Sequence, residues 1–221
     1  MSDEVAETLR RMILVGDLAP GQRATQDELA EMLQVSTTPV REALLKLSAA
    51  GLIEASPNRY FRVVHTTQDD VRDTYWIHAT LAAELTRRAC ERRTDKLTQT
   101  LVDLEERYTQ GVAAGDAAEM NEANWLFHRA INVAAEAPRL VFMLKSTLRF
   151  IPDDLYAEIE SWGTTSIEAH QEIIAAFTTG DADAAGVAAS RHVLEAGELL
   201  VEQLANRGFW ADTDGSTPVK P

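Results

Sequence analysis

The stretch from Thr25 to Gly51, TQDELAEMLQVSTTPVREALLKLSAAG, constrains this chain more than any other. It reads as two short helices joined by a tight turn. Thr25 is placed to cap the first helix, and Glu28 three residues on completes a capping box. Leu29, Ala30 and Leu33 then recur at helical spacing. Gln34-Val35 interrupts the run, and Ser36 can cap a second helix. Pro39 falls in the first turn of that helix, where a missing N–H costs nothing. Val40, Ala43, Leu44 and Leu47 form its apolar stripe, and Gly51 stands where a left-handed residue ends a helix. The pattern is that of a helix-turn-helix. Ser36, Thr37, Thr38 and Arg41 fall on the polar face of the second helix. Hydroxyls at a helix N-terminus and an Arg one turn in suit phosphate and guanine in a DNA major groove. A plain helical pair with a capped surface helix fits the spacing as well.

Two flanking features narrow the choice. After Gly51, Leu52-Ile53-Glu54 and Phe61-Arg62-Val63-Val64 are β-rich runs around a turn at Pro57-Asn58, a hairpin tipped by Arg59 and Tyr60. A helix-turn-helix followed by such a hairpin is a winged helix of three helices and a two-stranded wing. Before it, Gly16 to Gly21 turns the chain from a leading helix. The residues Ile13, Gly16, Leu18, Pro20-Gly21, Leu29-Ala30, Val35-Ser36, Thr38 to Leu44, Leu47 and Gly51 to Ile53 resemble the GntR family of bacterial transcription regulators.

Charge distribution agrees with a DNA-reading segment. Residues 1–65 hold seven Lys/Arg against nine Asp/Glu, a net of −2, so −12 of the total −14 lies beyond them. A near-neutral head on an acidic body implies salt-sensitive affinity for each subunit, with a dimer supplying specificity. The composition, 45% hydrophobic and 25% charged, is that of a globular protein. With no apolar run of membrane-spanning length and no signal-peptide pattern, a cytoplasmic location away from membranes is the expectation. Cys90 has no partner for a disulfide and reads as a packing residue.

From Thr66 the pattern is wholly helical. Asp69 or Thr67 can cap a helix through Val71, Tyr75, Leu81, Leu85 and Ala89. Further helices are predicted over Asp95 to Ala113, Ala117 to Ala135, from Pro138 to Pro152, Asp154 to Ile159, Ser166 to Thr178 and Asp183 to Asn206. These make an antiparallel all-α bundle of six or seven helices. The expected divisions are a winged helix over 1–66, the bundle over 67–207 and an unstructured tail over 208–221.

Within the bundle, Asn124 and His128 share a helix face one turn apart. His170 lies ten residues before Gly180, and His192 eleven after Asp181. Helices folding back at that turn bring both rings about 15 Å from it, side by side. Three imidazoles and an amide oxygen make a candidate site for Zn, Ni, Mn or Fe with open positions. Each ring taken alone fits a hydrogen-bonded core histidine equally. Phe127-His128, Ala134, His170, Gly180-Asp181, Ala185 and His192 resemble the FCD effector domain of the FadR-like branch of the same family.

That resemblance implies a metal at these residues, and an effector carboxylate at its open positions. It implies a homodimer on a palindromic duplex operator and ligand control of DNA affinity, most often relief of repression. Departures matter. Asn124 stands where the family usually has Asp, which weakens the attraction for a metal. His78 and Ala82 stand where an Arg and a Glu are usual, so His78 is either an effector contact or a surface residue. Arg149 is an acid partner or a solvated side chain. Thr37 replaces a frequent Arg, removing a guanine contact of about 1–3 kcal/mol, and Tyr60 replaces a wing Gly. The DNA-contact set is Ser36, Thr37, Thr38, Pro39, Arg41, Arg59 and Tyr60. The competing classes are a metal-dependent enzyme acting on a small organic acid, and a DNA-binding protein with a purely structural metal. Glu168 and Glu172 flank His170 but point off its face, and no other general acid or base stands out in the sequence to favour the enzyme, so no catalytic residue is assigned.

Overall fold

The computed structural model describes residues 1–55, 60–147, 159 and 161–210 of the 221. Two compact units emerge, one organised on Met1–Val71 and one on the helices that follow. The first contains α1 (Ser2–Val15), β1 (Arg23–Thr25), α2 (Gln26–Leu33), α3 (Thr37–Ala49), β2 (Ile53–Ala55) and β3 (Tyr60–Val63). Thr25 and Glu28 form the capping box: the Glu28 N–H donates to Thr25 Oγ1 at 3.2 Å, and the Thr25 N–H to Glu28 Oε2 at 2.7 Å. Gln34 in the left-handed conformation ends α2, and the Gln26 amide donates to the Thr37 carbonyl at 2.9 Å, clipping the turn. Val40, Ala43, Leu44 and Leu47 are fully buried against Leu9, Ile13, Leu29 and Ile53, as their spacing requires. Burying each Leu contributes about 1.5–3 kcal/mol.

The sheet has three antiparallel strands in the order β1-β3-β2, one more than expected. Arg23-Ala24-Thr25 pairs with Tyr60 to Arg62. A three-residue strand running straight into a helix cap leaves no alternation to detect. Alternation puts Ala24, Phe61, Val63 and Ile53 on the core face, and Arg23, Thr25, Tyr60, Arg62 and Glu54 on the other.

The helical unit runs through α4 (Gln68–Glu91), α5 (Asp95–Ala114), α6 (Ala117–Ala134), α7 (Pro138–Thr147), α8 (Trp162–Thr179) and α9 (Ala182–Asn206). Thr67 is the side chain that caps α4, its Oγ1 accepting from the Asp70 N–H at 3.1 Å. Leu85, Ala89, Cys90, Leu101, Phe127, Ile131, Ile173 and Phe177 form its core, with Cys90 fully buried in a packing role. Ala185, Ala188 and Ala189 keep α9 thin enough to lie close to its neighbours. Gly180 turns α8 into α9 with φ of 79°. That left-handed backbone is what calls for glycine; the Arg93 guanidinium beside it is the end of a flexible side chain that can move.

Two expectations change. The α8 helix begins at Trp162, four residues before Ser166, which lies buried inside it and is not its cap. Gly163-Thr164-Thr165 reads as a breaker by propensity, but Trp162 is buried and anchors this turn. Gly163 sits where a Cβ would come within 3.0 Å of Val112. Gly208 to Trp210 are not a free tail: the Phe209 N–H donates to the Leu204 carbonyl, and Trp210 Nε1 donates to the Val201 carbonyl at 3.3 Å. The helix expected over Asp154 to Ile159 falls almost wholly outside the described residues, as do 211–221.

Candidate metal and effector site and candidate DNA-reading surface

Three helices deliver the imidazoles: His128 on α6, His170 on α8 and His192 on α9. Each offers a ring nitrogen, and these three atoms lie within 4.8 Å of one another. Ring centroids stand 5.2 Å apart for His128 and His170, 5.4 Å for His128 and His192, and 5.1 Å for His170 and His192. Two helices leaving the Gly180 turn do bring His170 and His192 together. The surroundings are aromatic. Phe127 stacks on His170 at 4.2 Å, Tyr108 meets the same ring edge-on at 5.3 Å, and Trp162 stacks on His192 at 5.7 Å.

Such walls exclude water, and desolvation holds the rings neutral. Burial pushes His128 and His170 down to about 3, and His192 well below the ordinary value. Neutral imidazole is the form that binds a metal. The unspent atoms test the fit. His170 Nε2, His192 Nδ1 and Asn124 Oδ1 are all buried without a hydrogen-bond partner. Buried polar atoms are normally paired, so three orphans on candidate ligands fit a cation that accepts their lone pairs. Nitrogens around a tetrahedral Zn stand about 3.4 Å apart, so a modest contraction closes the set.

His78, on α4, is no surface residue. It is half-buried, with Nδ1 2.6 Å from Thr147 Oγ1. Thr147 already donates to the Leu144 carbonyl at 2.7 Å, so its oxygen accepts from His78. Burial first, then the proximity of His128, lowers His78 to about 4. It therefore lines the same region. Arg149 falls outside the described residues.

The sequence reading passed over Glu105. It sits on α5, 6% exposed, with Oε2 2.6 Å from His170 Nδ1. When Glu105 is ionised it only accepts, so Nδ1 then carries the proton and Nε2 is left with its lone pair; the protonated acid would donate to Nδ1 instead. Burial raises Glu105 to about 7, against the Thr109 hydroxyl, which donates to Oε1 at 3.3 Å. The signal was its register. Leu97, Leu101, Glu105 and Tyr108 share one face of α5, so this acid stands in an apolar row. Tyr108 and Ser166 were missed as polar neighbours. Their hydroxyls are buried near one another, and the Tyr75 hydroxyl is a further buried atom lacking a partner. Tyr75 packs so closely on α9 that a Cβ at Gly197 would lie 2.6 Å from its ring.

On the winged unit, Ser36, Thr37, Thr38 and Arg41 are exposed along the start of α3. Ser36 is the N-cap residue but makes no side-chain cap bond, leaving its hydroxyl for other partners. Pro39 is buried, so it shapes the helix start and is no surface contact. Tyr60 is half-buried beneath Arg23, whose guanidinium carbon lies 4.8 Å from the ring centroid. Arg59 falls outside the described residues. No helix among the described residues is long and apolar enough to cross a membrane.

Comparison with known proteins agrees with both halves. The family of bacterial regulatory proteins called gntR matches residues 1–63, and the FCD domain family matches residues 73–195. The HTH-type transcriptional regulator McbR of Escherichia coli K12 is 30% identical over 142 residues, covering 64% of this chain and 64% of its own length. The HTH-type transcriptional repressor RspR of Escherichia coli K12 is 26% identical over 95% of this chain and 93% of its own length. The solved structure of E. coli McbR/YncC superposes with a TM-score of 0.66 at 26% identity, covering 91% of this chain and 97% of that one. The chain belongs to the GntR family of bacterial transcription regulators, in the branch that carries an FCD domain.

Proposed function

We propose that this regulator reads a palindromic duplex through α3, with Arg41 as its base-reading side chain. A small carboxylate effector, bound at a metal held by His128, His170, His192 and Asn124, sets its affinity. The observation that carries the reading is the convergence of three neutral imidazoles, two of them with unspent buried nitrogens, in a water-excluding pocket. When bound, the metal supplies a Lewis acid with open positions for an anionic oxygen. Neutral hydroxyls of Tyr108 and Ser166, and the His78 ring, are then left to orient the rest of the ligand. The working divisions are 1–66 for DNA reading and 67–207 for sensing.

The molecule acts as a homodimer, because two-fold symmetry in the protein is mirrored in the half-sites. Support comes from large apolar side chains left open to solvent: Trp76 and Ile77 on α4, Val187 and Leu194 on α9, 40–67% exposed. Ligand control requires the effector to bind DNA-competent and DNA-incompetent arrangements unequally. Repression relieved by ligand is the expected sense. The test is thermal shift against divalent metals and small carboxylic acids, followed by operator binding with each stabilising pair. A pair that stabilises the protein and changes DNA affinity supports the reading. Turnover of the acid would make it an enzyme instead, and a stabilising metal without effect on DNA would make the site structural.

A further inference from the structure

We propose that Glu105 supplies the metal centre, through His170, with the negative charge that Asn124 does not provide. The proposal rests on the metal reading above. Among the described residues Glu105 is the only buried carboxyl group, and its close partner is the neutral His170 ring, in a hydrogen bond. No Lys or Arg among the described residues pairs with it; the other oxygen meets the neutral Thr109 hydroxyl. A buried acid without a cation is expensive to keep, and a fold retains one where a cation is supplied from elsewhere.

The geometry names that place. His170 is fully buried and belongs to both: its Nδ1 lies 2.6 Å from Glu105, its Nε2 has no partner, and the ring stands in the cluster with the other two imidazoles. A dication on Nε2 lies one imidazole away from the carboxylate, the arrangement that fixes the tautomer and raises ligand basicity. Charge bookkeeping then separates the two acids' roles. A dication with three neutral rings and a neutral amide keeps a charge of +2, which Glu105 brings to +1, enough to hold one effector carboxylate. An acid at residue 124 as well would bring it to zero. The asparagine thus leaves the centre cationic for an anionic ligand, while Glu105 retains the metal.

The experiment uses the full-length chain stripped of metal, with Zn and Co affinities measured by chelator competition for the wild type, Glu105→Gln, Asn124→Asp and the double variant. Glu105→Gln is expected to weaken metal binding about 10–100-fold, Asn124→Asp to tighten it, and the double variant to return near the wild type. The metal-free Glu105→Gln variant is expected to melt no lower than the wild type, since the substitution removes an uncompensated buried acid. Wild-type affinity in Glu105→Gln, or failure of Asn124→Asp to restore it, overturns the proposal while the metal site stands. Absence of metal binding by the wild type overturns the site and the proposal together. A lowered melting temperature with unrestored affinity makes Glu105 a structural residue only.

Discussion

The two units keep their polar chemistry in opposite ways. On the winged unit the polar side chains at the start of α3 stand in water, while the apolar stripe behind them does the folding. In the helical unit the polar atoms are inside: three imidazoles, an amide oxygen, a carboxyl and several hydroxyls share the core with Phe127, Trp162 and Ile173. The contrast teaches that reading and folding are separable in the first unit and inseparable in the second. A surface reader can change its target without endangering the fold. A buried sensor cannot change its ligands without changing stability.

The largest test of that contrast is His170→Ala. It removes a proposed metal ligand, leaves Glu105 buried without its partner and opens a cavity beside Phe127. We expect loss of metal binding and a stability loss of about 2–5 kcal/mol, measured by chelator competition and urea unfolding. Arg41→Ala is its counterpart. It should lose specific operator binding, about 1–3 kcal/mol per contact, while stability moves by no more than about 0.5 kcal/mol. Unaltered footprinting would remove Arg41 from the reading surface, and a large stability loss would break the contrast.

Acid gives a third test, on metal-free protein. Rings held near 3 to 4 in the fold and near 6.5 unfolded stabilise the protein fully above pH 6.5. That contribution is lost as pH falls from 6.5 towards 3, at about 1.4 kcal/mol per pH unit for each ring. Glu105, raised to about 7 from 4.5, acts oppositely: its contribution is present below 4.5 and lost as pH rises through 7. Four rings against one acid leave a net proton uptake on unfolding of roughly two to three between pH 6.5 and 4.5. Urea unfolding at pH 7 and pH 5 should therefore show a marked loss at the lower value; equal stabilities would mean the rings are not held neutral. The smallest effect belongs to Thr25→Ala, which removes the capping box of α2 and should cost about 1 kcal/mol.

Legibility followed the same divide. Helices α2 and α3 were visible to within a residue or two because caps and apolar period agree there. So were α5, α6 and α9, and the meeting of His170 with His192 followed from counting residues out from one Gly turn. What stayed hidden depended on contacts distant in sequence. Strand β1 exists only because β3 pairs with it. The first turn of α8 is held by a buried Trp162, against the propensity of Gly163. Glu105, in the run Leu104-Glu105-Glu106-Arg107, looks like part of a solvated charge cluster until Leu101 and Tyr108 show which face it shares. His78 stood equally as an effector contact or a surface residue, because its partner, Thr147, lies 69 residues away.

The account turns on whether what binds among His128, His170 and His192 governs the grip on DNA. The direct measurement is the affinity of metal-stripped protein for an operator selected from random duplexes, at fixed salt. It is taken on the stripped protein, after adding metal, and after adding metal with a stabilising carboxylate, in the wild type and in His192→Ala. The account predicts a change of about fivefold or more in the wild type and none in the variant. Equal affinity in the wild type under all three conditions would contradict it.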